Sequence, residues 1–556
     1  PFRHNEGRFE ARAAISGLTL DYGKDWPQAT GIDAVASFVD NGMLVEASGG
    51  QSLGVNVDKA VALIPDFHDS LLDLNVQGSG SGASLLEFAR NSPIASHVAG
   101  TLAKLKLGGS GTFEFHLALP LKDARDAQLS GSATLKDADF SAPAWNLQLD
   151  KLNGPLQFDL HGLRAGPLDA GFRGQPSKLQ LAIAGATGDP AMILSAKLQG
   201  SYRMAELTQG YPSLDWIGKL ADGRSAFDIG FTIAHVAGSD ALAQTLSVDS
   251  SLEGIALDLP APLHKPAPTS LPLHLTMSLP VGGSDLQLGL GDVMRGHLRL
   301  SEGPQHPLAG TLAFGNQMPE ALPPRDLRIR GHASQLDVTG WVQRTVAAGG
   351  GDGPGLESLD VSTDQAEWFG RPLGALKLRA APQTDVLSVD VDGAAMAGNF
   401  SVPTSELNKR GVTARLQRLY WPKAPAAPAG DHPAKQSVGA AAAAAVPLHD
   451  PANTGINPAA LPPFHLWVGD LRLGDAKLGE ARLETWPTAD GLHIEQLRAL
   501  SSRVQINASG DWNGSASNSR THMKISFAAE DLGTMLGAFG FDGLVNGGKT
   551  RDQLDA

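Results

Sequence analysis

The sequence predicts a mostly β protein: a long, twisted, repetitive antiparallel β-sheet with a few short helices. Three observations support this prediction. Apolar and polar residues alternate in many short runs, which is typical of strands with one buried and one solvated face. Glycine (65 residues) and proline (36) are frequent while aromatic residues make up 6%, as in chains of short strands joined by turns. At 556 residues the chain exceeds what one compact core usually supports, which favours a repetitive architecture.

The clearest strand covers residues 112–120. Because successive side chains of a strand point to opposite faces, every second residue shares a face. The same alternation returns at residues 179–183 and 387–391. A sheet with one solvated face is expected to be antiparallel, since a parallel sheet covered on both sides reads as continuous apolar runs. The apolar positions that share a face are Phe113, Phe115, Leu117, Leu119, Leu179, Leu181, Ile183, Leu387, Val389 and Val391.

A β-unit is repeated in the second half of the chain. Residues 369–400 and 461–512 both consist of short alternating runs with glycine at the breaks. The repeat favours an extended or repetitive sheet over one globule.

Four stretches have helical character. Residues 84–93 begin with serine and end before proline, which are the usual start and stop signals. Residues 204–220 are interrupted at Pro212, and residues 334–348 have mixed apolar spacing. Residues 529–540 predict a short amphipathic helix.

The composition divides the chain into three segments. Residues 1–421 form the repetitive β-region. Residues 422–463 are rich in proline, alanine and glycine and bury too little apolar surface to order themselves, so we predict a flexible linker or loop. Residues 464–556 form a further β-unit with a short helix, and the unit is truncated. The chain begins with Pro1, and we expect it to be a fragment of a longer protein.

Charge and composition exclude several classes of protein. A formal net charge of −14 argues against a nucleic-acid-binding surface, which needs clustered Lys and Arg. The absence of cysteine excludes disulfides, thiolate metal sites and cysteine nucleophiles. No apolar run of about 18 residues is present, so we expect no membrane span and no export signal within this sequence.

Two motifs match the residue spacing of catalytic loops but lack the flanking strands and helices that such loops need. Residues 543–550 match the spacing of a phosphate-binding loop, which needs a strand before it and a helix after it. Residues 50–54 match a nucleophile elbow, which needs a strand-to-helix turn. We expect glycine-containing turns at both. No histidine spacing indicates a metal site. We therefore predict no catalytic residue, no cofactor and no metal, and hence no enzyme.

The many apolar strand faces need to be covered. A flat sheet would expose far more contiguous apolar surface than a soluble monomer tolerates. A second sheet or closed barrel could cover it and give a dry core, or the sheet could curl into a trough filled by acyl chains. The small aliphatic residues of this chain suit both arrangements.

Short phrases in a fixed order carry a family resemblance. The phrases are Gly17–Tyr22 followed by Trp26-Pro27, Ser92-Pro93-Ile94, Leu119-Pro120-Leu121, Leu259–Pro266 before Leu271-Pro272-Leu273, Ala414–Leu419, Leu478-Gly479 with Gly510-Asp511-Trp512, and Asp531-Leu532-Gly533 with Gly547-Gly548. In these phrases and their order, the chain resembles the YhdP-type proteins of the AsmA-like superfamily over essentially its whole length.

The resemblance implies a Gram-negative envelope protein. Its sheet would curl into a U-shaped hydrophobic groove, lined by the ten apolar side chains named above, that transports phospholipids between the inner and outer membranes without catalysis. The implied location is the periplasm, with an N-terminal inner-membrane helix absent from this sequence. The implied partners are phospholipid acyl chains, both membranes through missing parts of the full-length protein, and envelope proteins, but no nucleic acid.

Two alternatives stay open at this point. The chain could be a structural or assembly scaffold for outer-membrane proteins that binds its partners at a sheet edge by strand addition. It could also be an enzyme acting on envelope glycans, which would need a pair of carboxylates in a cleft. The sequence gives no indication of such a pair.

Overall fold

The structure is a computed structural model of the chain. The residues that it describes are 7–21, 26–92, 105–122, 126–143, 146–211, 214–239, 241–279, 284–300, 308–319, 326–347, 355–422, 458–515, 518–533 and 550–555.

The chain divides into two compact units. Unit 1 consists of Pro1–Asp258 and Lys265–Leu290, and unit 2 consists of Leu259–His264 and Gly291–Ala556. Both units are built mainly of strands, as the alternating sequence pattern predicts.

Unit 1 contains eighteen of the described strands, and most have about ten residues. They are β1 Glu10–Leu20, β2 Ala29–Val39, β3 Gly42–Ser52, β4 Val55–Ile64, β5 Leu71–Ser81, β6 Lys106–Leu107, β7 Ser110–Pro120, β8 Gln128–Ala142, β9 Leu147–Asp159, β10 Gly162–Phe172, β11 Gln175–Ala184, β12 Met192–Tyr202, β13 Ala221–Gly223, β14 Ser225–His235, β15 Leu242–Ser250, β16 Ile255–Leu257, β17 Leu273–Ser278 and β18 Asp285–Leu290.

Strands of unit 1 pair in nearly sequential order, and every pairing described is antiparallel. Short β6 adds to the edge of β8, and β13 pairs with β16 in a separate two-stranded sheet. Short turns connect most neighbours, which is the connection that antiparallel strands allow. The antiparallel arrangement predicted from the alternation is therefore confirmed in unit 1.

Unit 2 contains the remaining fourteen described strands. They are β19 Met294–Leu300, β20 Leu308–Phe314, β21 Leu327–Asp337, β22 Leu356–Trp368, β23 Arg371–Pro382, β24 Val386–Gly393, β25 Met396–Pro403, β26 Val412–Trp421, β27 Phe464–Leu473, β28 Ala476–Pro487, β29 Gly491–Leu500, β30 Val504–Ser515, β31 Asn518–Ala529 and β32 Thr550–Asp555.

Three pairs in unit 2 are parallel, namely β20 with β21, β21 with β22, and β26 with β27. The other described pairs of this unit are antiparallel. Parallel neighbours need a long connection, and a helix lies between β21 and β22. Alternation reveals only which face of a strand is solvated, so the three parallel pairs could not be recognised from it.

The first helix begins slightly earlier than predicted. Helix α1 runs from Gly82 to Arg90, and its N-cap is Ser81, whose hydroxyl accepts a hydrogen bond from the Ser84 amide at 3.1 Å. It ends before Pro93, as expected, because proline disfavours a helical residue in front of it.

Other helices are short. The stretch 204–220 contains α2 Met204–Leu207 and α3 Asp215–Leu220, on either side of Pro212. Helix α4 Val338–Ala347 occupies most of the third predicted stretch, whose first residues belong to β21. The sequence did not predict α5 Leu407–Arg410. Most of the fourth predicted helix lies outside the described residues. Within the described part of the chain, no helix is long and apolar enough to cross a bilayer.

Each unit has its own apolar core. In unit 1, Leu149, Leu152, Leu168 and Leu198 are buried in one cluster. In unit 2 a larger cluster includes Leu416 and extends across the strands of the C-terminal half.

Most of the predicted linker lies outside the described residues. Its described end carries a short 3₁₀ turn at Pro458–Ala460, and Pro462 and Pro463 follow it. All three prolines are almost completely buried, so this end of the segment packs against the unit.

Candidate functional site

The strand register of unit 1 aligns apolar side chains into rows that cross the sheet. Starting at Val76, each residue of one such row lies opposite the next on the neighbouring strand. Directly opposite residues on one face are close enough to contact. We call this set the Phe115 row: Val76, Phe115, Gly131, Phe158, Leu163, Ile183, Leu194 and Ile233.

A second row runs beside it in unit 1. It includes the predicted groove residues Phe113 and Leu181 and reaches β18 through the antiparallel pairings. We call this set the Leu181 row: Phe113, Ala133, Leu156, Ala165, Leu181, Ala196, Phe231, Leu246, Met277 and Leu286. The structure thus brings predicted residues of β7 and β11 onto shared rows, although 60 or more positions separate them in the sequence.

The remaining predicted residues of unit 1 lie on the same face in neighbouring positions. Leu117 is opposite Leu74, and Leu119 is opposite Leu72. Leu179 lies between residues of two core strands, Leu168 and Leu198.

Glycine makes room for the aromatic rings of the Phe115 row. A Cβ atom at Gly131 would lie 2.3 Å from Cζ of Phe158 and 2.9 Å from Cβ of Phe115. The Phe113 and Phe115 rings stack with centroids 6.3 Å apart. The two large side chains on either side of Gly131 therefore depend on its missing side chain.

Unit 2 has rows of the same kind. Of the predicted residues here, Val389 and Val391 lie on adjacent rows, and Leu387 is opposite Val402. The pairings of seven consecutive strand pairs, the parallel pair β26–β27 among them, preserve both rows. The Val389 row contains Ala380, Val389, Phe400, Ala414, Leu466, Leu483, Leu497 and Ala508, and the Val391 row contains Leu378, Val391, Gly398, Leu416, Val468, Ala481, Ala499 and Ile506.

Burial differs between these rows. Val391, Leu416 and Val468 are 5%, 0% and 0% exposed, so the Val391 row is a packed core. Val389 and Leu387 are only half-buried, as are all seven predicted residues of unit 1. The apolar face therefore combines buried core in both units with apolar surface that stays accessible; in unit 1, Leu179 and Leu181 pack against the buried cluster.

The opposite face of unit 1 is polar. An open cavity of about 950 Å³ lies on it, lined by residues of β4, β5 and β7 to β10, and Val76, Phe115 and Phe158 of the Phe115 row are among them. Most of the lining side chains carry hydrogen-bonding groups, so this cavity suits an acyl chain less well than the apolar rows do. The polar lining residues are Lys59, Asn75, Gln77, Glu114, His116, Ser130, Ser132, Gln157, Asp159, His161 and Arg164.

Several ionic groups of the polar faces occur in pairs. Arg472 donates to the Asp470 carboxylate at 2.7 Å, which lowers the pKa of that carboxyl group. His493 lies 2.8 Å from the Asp511 carboxylate, and this hydrogen bond raises the pKa of the imidazole. Such paired groups are explained by the surface of a sheet without any catalytic role.

Of the two catalytic-looking motifs, the structure describes only the one at residues 50–54 completely. Residues 50–52 end strand β3, residues 53 and 54 form the turn to strand β4, and no helix follows this turn. Most of residues 543–550 lies outside the described residues. In the described part of the chain, no group of three or more His, Asp or Glu side chains is arranged to hold a metal ion.

Sequence reasoning found the apolar face but not the rows. The residues it missed include Phe158, Leu194 and Ile233 of the Phe115 row. Their own strands show the alternation, which is the signal that could have found them. Their alignment with Phe115 depends on the pairing register, which no single strand encodes.

The sequence was compared with known proteins, with protein families and with solved structures. The intermembrane phospholipid transporter YhdP of Escherichia coli (strain K12) is 25% identical over 277 residues, which are 50% of this chain and 21% of that protein. The chain therefore matches about a fifth of the length of this relative. No solved structure matches this chain. The profile of the YhdP protein family matches residues 1–554. The chain belongs to the YhdP protein family.

Proposed function

We propose that this chain is a periplasmic segment of a bridge that transports phospholipids between the inner and outer membranes. The single observation that carries the proposal is the alignment of half-buried apolar side chains into rows that pass from strand to strand. Family membership supports it, because a relative is named as an intermembrane phospholipid transporter. The full-length protein would be anchored in the inner membrane and would meet envelope partners through parts outside this sequence.

The apolar rows would line a U-shaped hydrophobic groove that holds the acyl chains. Each CH₂ group removed from water contributes about 0.8 kcal/mol. The phosphate headgroup would stay in water at the open side, because burying an unpaired charge is very costly. The polar side chains on the other face would keep the protein soluble.

Movement along the rows would need no catalysis and no deep pocket. Adjacent positions such as Phe115, Leu163 and Ile183 offer similar aliphatic or aromatic surface. A tail that shifts by one strand therefore exchanges one set of dispersion contacts for a similar one. The seven predicted lining residues of unit 1 are only half-buried, which supports this proposal, while the buried clusters of the two units, the Val391 row among them, would act as supporting cores.

The proposal is tested by measuring bound lipid on variants of the purified chain. We expect wild-type protein to retain phospholipid in native mass spectrometry, and Leu181→Asp to lose most of it, because a carboxylate on the apolar face opposes an acyl chain. Gln180→Asp is the matched control: the side chain of Gln180 is exposed on the opposite face of the same strand. Val389→Asp and Ser388→Asp form a second pair in unit 2.

Circular dichroism would show whether each variant keeps its strands. Retention of lipid by folded Leu181→Asp and Val389→Asp would contradict the proposed lining. A lipid-free wild type that takes up no labelled phospholipid would overturn the transport proposal and favour the scaffold alternative.

A further inference from the structure

A row of exposed cationic and aromatic side chains crosses the polar face of unit 2. Arg415 lies opposite Trp467, Trp467 opposite Arg482, and Arg482 opposite Arg498. All four side chains are exposed. With neighbouring strands about 4.8 Å apart, this set, which we call the Arg415 row, spans roughly 14 Å.

The same line of side chains has a different composition on the preceding strands. There Arg330, Asp360, Arg379, Asp390 and Asn399 lie opposite one another in that order. Cations alternate with carboxylates, and Arg379 approaches Asp360 at 3.7 Å. Positive and negative charges in this line therefore balance each other up to β25, and from β26 to β29 the charged residues of the line are all cationic.

Few carboxylates lie near the Arg415 row to balance its positive charge. Among the described residues, Arg415 and Arg498 form no ion pair and no side-chain hydrogen bond. Glu480 is the carboxylate beside the row, and it is shared between the indole nitrogen of Trp467 at 3.1 Å and Arg482 at 3.6 Å. Glu484, on the other side, is in contact with His465.

The Arg482–Arg498 pair is unfavourable in the isolated protein. Like charges directly opposite each other on a sheet are destabilising. A chain with a formal net charge of −14 has many acidic side chains, yet none occupies this row. An arrangement that costs stability when free is explained if a bound anionic group compensates it.

We propose that the Arg415 row is a docking surface for an acidic segment of a partner protein. Guanidinium groups bind carboxylates with paired, charge-assisted hydrogen bonds. Tryptophan and arginine are also the side chains that contribute most often to binding energy at protein interfaces. A segment with several Asp or Glu residues matches the charge of the row, and Trp467 offers it a flat apolar contact.

This surface is separate from the apolar rows. Arg415 lies between Ala414 and Leu416 of the Val389 and Val391 rows, so its side chain points to the opposite face. Binding here leaves the apolar face free. The inference goes beyond the proposed lipid transport and does not depend on it.

The test measures binding of a fluorescein-labelled Glu-Ser repeat peptide to the full chain by fluorescence anisotropy. We expect wild type to bind this peptide. The double variant Arg415→Gln/Arg498→Gln should bind it with an affinity reduced at least about tenfold, since two charge-assisted contacts are lost. Arg379→Gln is the matched control, because Arg379 is exposed in the same line of side chains but lies opposite Asp360. The affinity of this variant for the peptide should differ from that of wild type by no more than about twofold. A Gln-Ser peptide should not bind.

Arg498→Glu separates a binding role from a structural one. We expect it to raise Tm slightly by turning a repulsive pair with Arg482 into an attractive one, while peptide binding falls. Failure of wild type to bind the Glu-Ser peptide, or equal binding by all the variants, would overturn the proposal. Binding of anionic vesicles through Arg415 and Arg498 without binding of the peptide would also overturn it and assign the row to a lipid surface instead.

Discussion

Cross-strand pairs of histidine and carboxylate recur on the polar faces of both units. His116 lies 2.9 Å from Asp73 in unit 1, and His493 lies 2.8 Å from Asp511 in unit 2. The alternation places each histidine on the polar face, but only the strand pairing brings a carboxylate within reach. Asp511 lies directly opposite His493, whereas Asp73 lies diagonally from His116, which faces Asn75. These exposed pairs contribute modestly to stability.

We expect His493 to stabilise the fold more at acidic than at neutral pH. The hydrogen bond to Asp511, followed by its charge and that of Glu495, raises the pKa of the imidazole above its usual value of 6.5. A group whose pKa is raised on folding stabilises the native state fully below the unfolded pKa, and the effect is lost as pH rises through the folded pKa. The Tm difference between wild type and His493→Gln should therefore be largest below pH 6.5 and shrink above it.

A suitable control is His235→Gln, because among the described residues the ring of His235 has no carboxylate partner. A His493→Gln difference that stayed constant across the titration would argue against the ion pair.

At the scale of strands and helices, the apolar face depends on glycine positions without a side chain as well as on the large apolar side chains beside them. Phe115 and Phe158 face Gly131 from both sides within the Phe115 row. Alternation identified the strands that carry these two rings. It could not identify the glycine between them, because the close approach arises only when β8 lies between β7 and β9.

We expect Gly131→Ala to destabilise the protein by about 1–3 kcal/mol, the usual cost of an overpacked core. The added Cβ would lie 2.3 Å from the Phe158 ring, which would have to move. The measurement is the urea midpoint followed by circular dichroism. Gly49→Ala, also within a strand, is the control, since its added Cβ has nothing within 4 Å. Equal midpoints for the two variants would show that the ring is free to shift at no cost.

Across the whole molecule, each unit buries its own apolar cluster. Unit 2 holds the more completely buried side chains of the apolar rows, and Leu416 and Val468 have no exposed surface. Unit 2 also contains most of the tryptophans of the chain. Intrinsic fluorescence therefore reports mainly on unit 2.

We predict that Leu416→Ala lowers the stability of unit 2 by about 2–5 kcal/mol, because it removes a buried side chain and leaves a cavity. The change should appear as a lower urea midpoint in tryptophan fluorescence. Leu500→Ala, at a side chain that is 43% exposed, should change stability by no more than about 0.5 kcal/mol. A midpoint for Leu416→Ala as high as that of the control would mean that the Val391 row is not a packed core.

The sequence by itself determined the mostly β class, the strands with their solvated faces, the end of α1 before Pro93 and the family resemblance. These follow from local properties: the period of two along a strand, capping residues and the order of short phrases. All ten predicted apolar residues lie on the strands where alternation placed them.

Only the tertiary structure decided which residues of different strands lie side by side. The register created the Phe115 row and left the Arg415 row without carboxylates, and the path of the chain between strands made three pairs in unit 2 parallel. The physical reason is that pairing energy is shared between strands far apart in sequence, so a strand's own residues fix its faces but neither its neighbour nor its alignment.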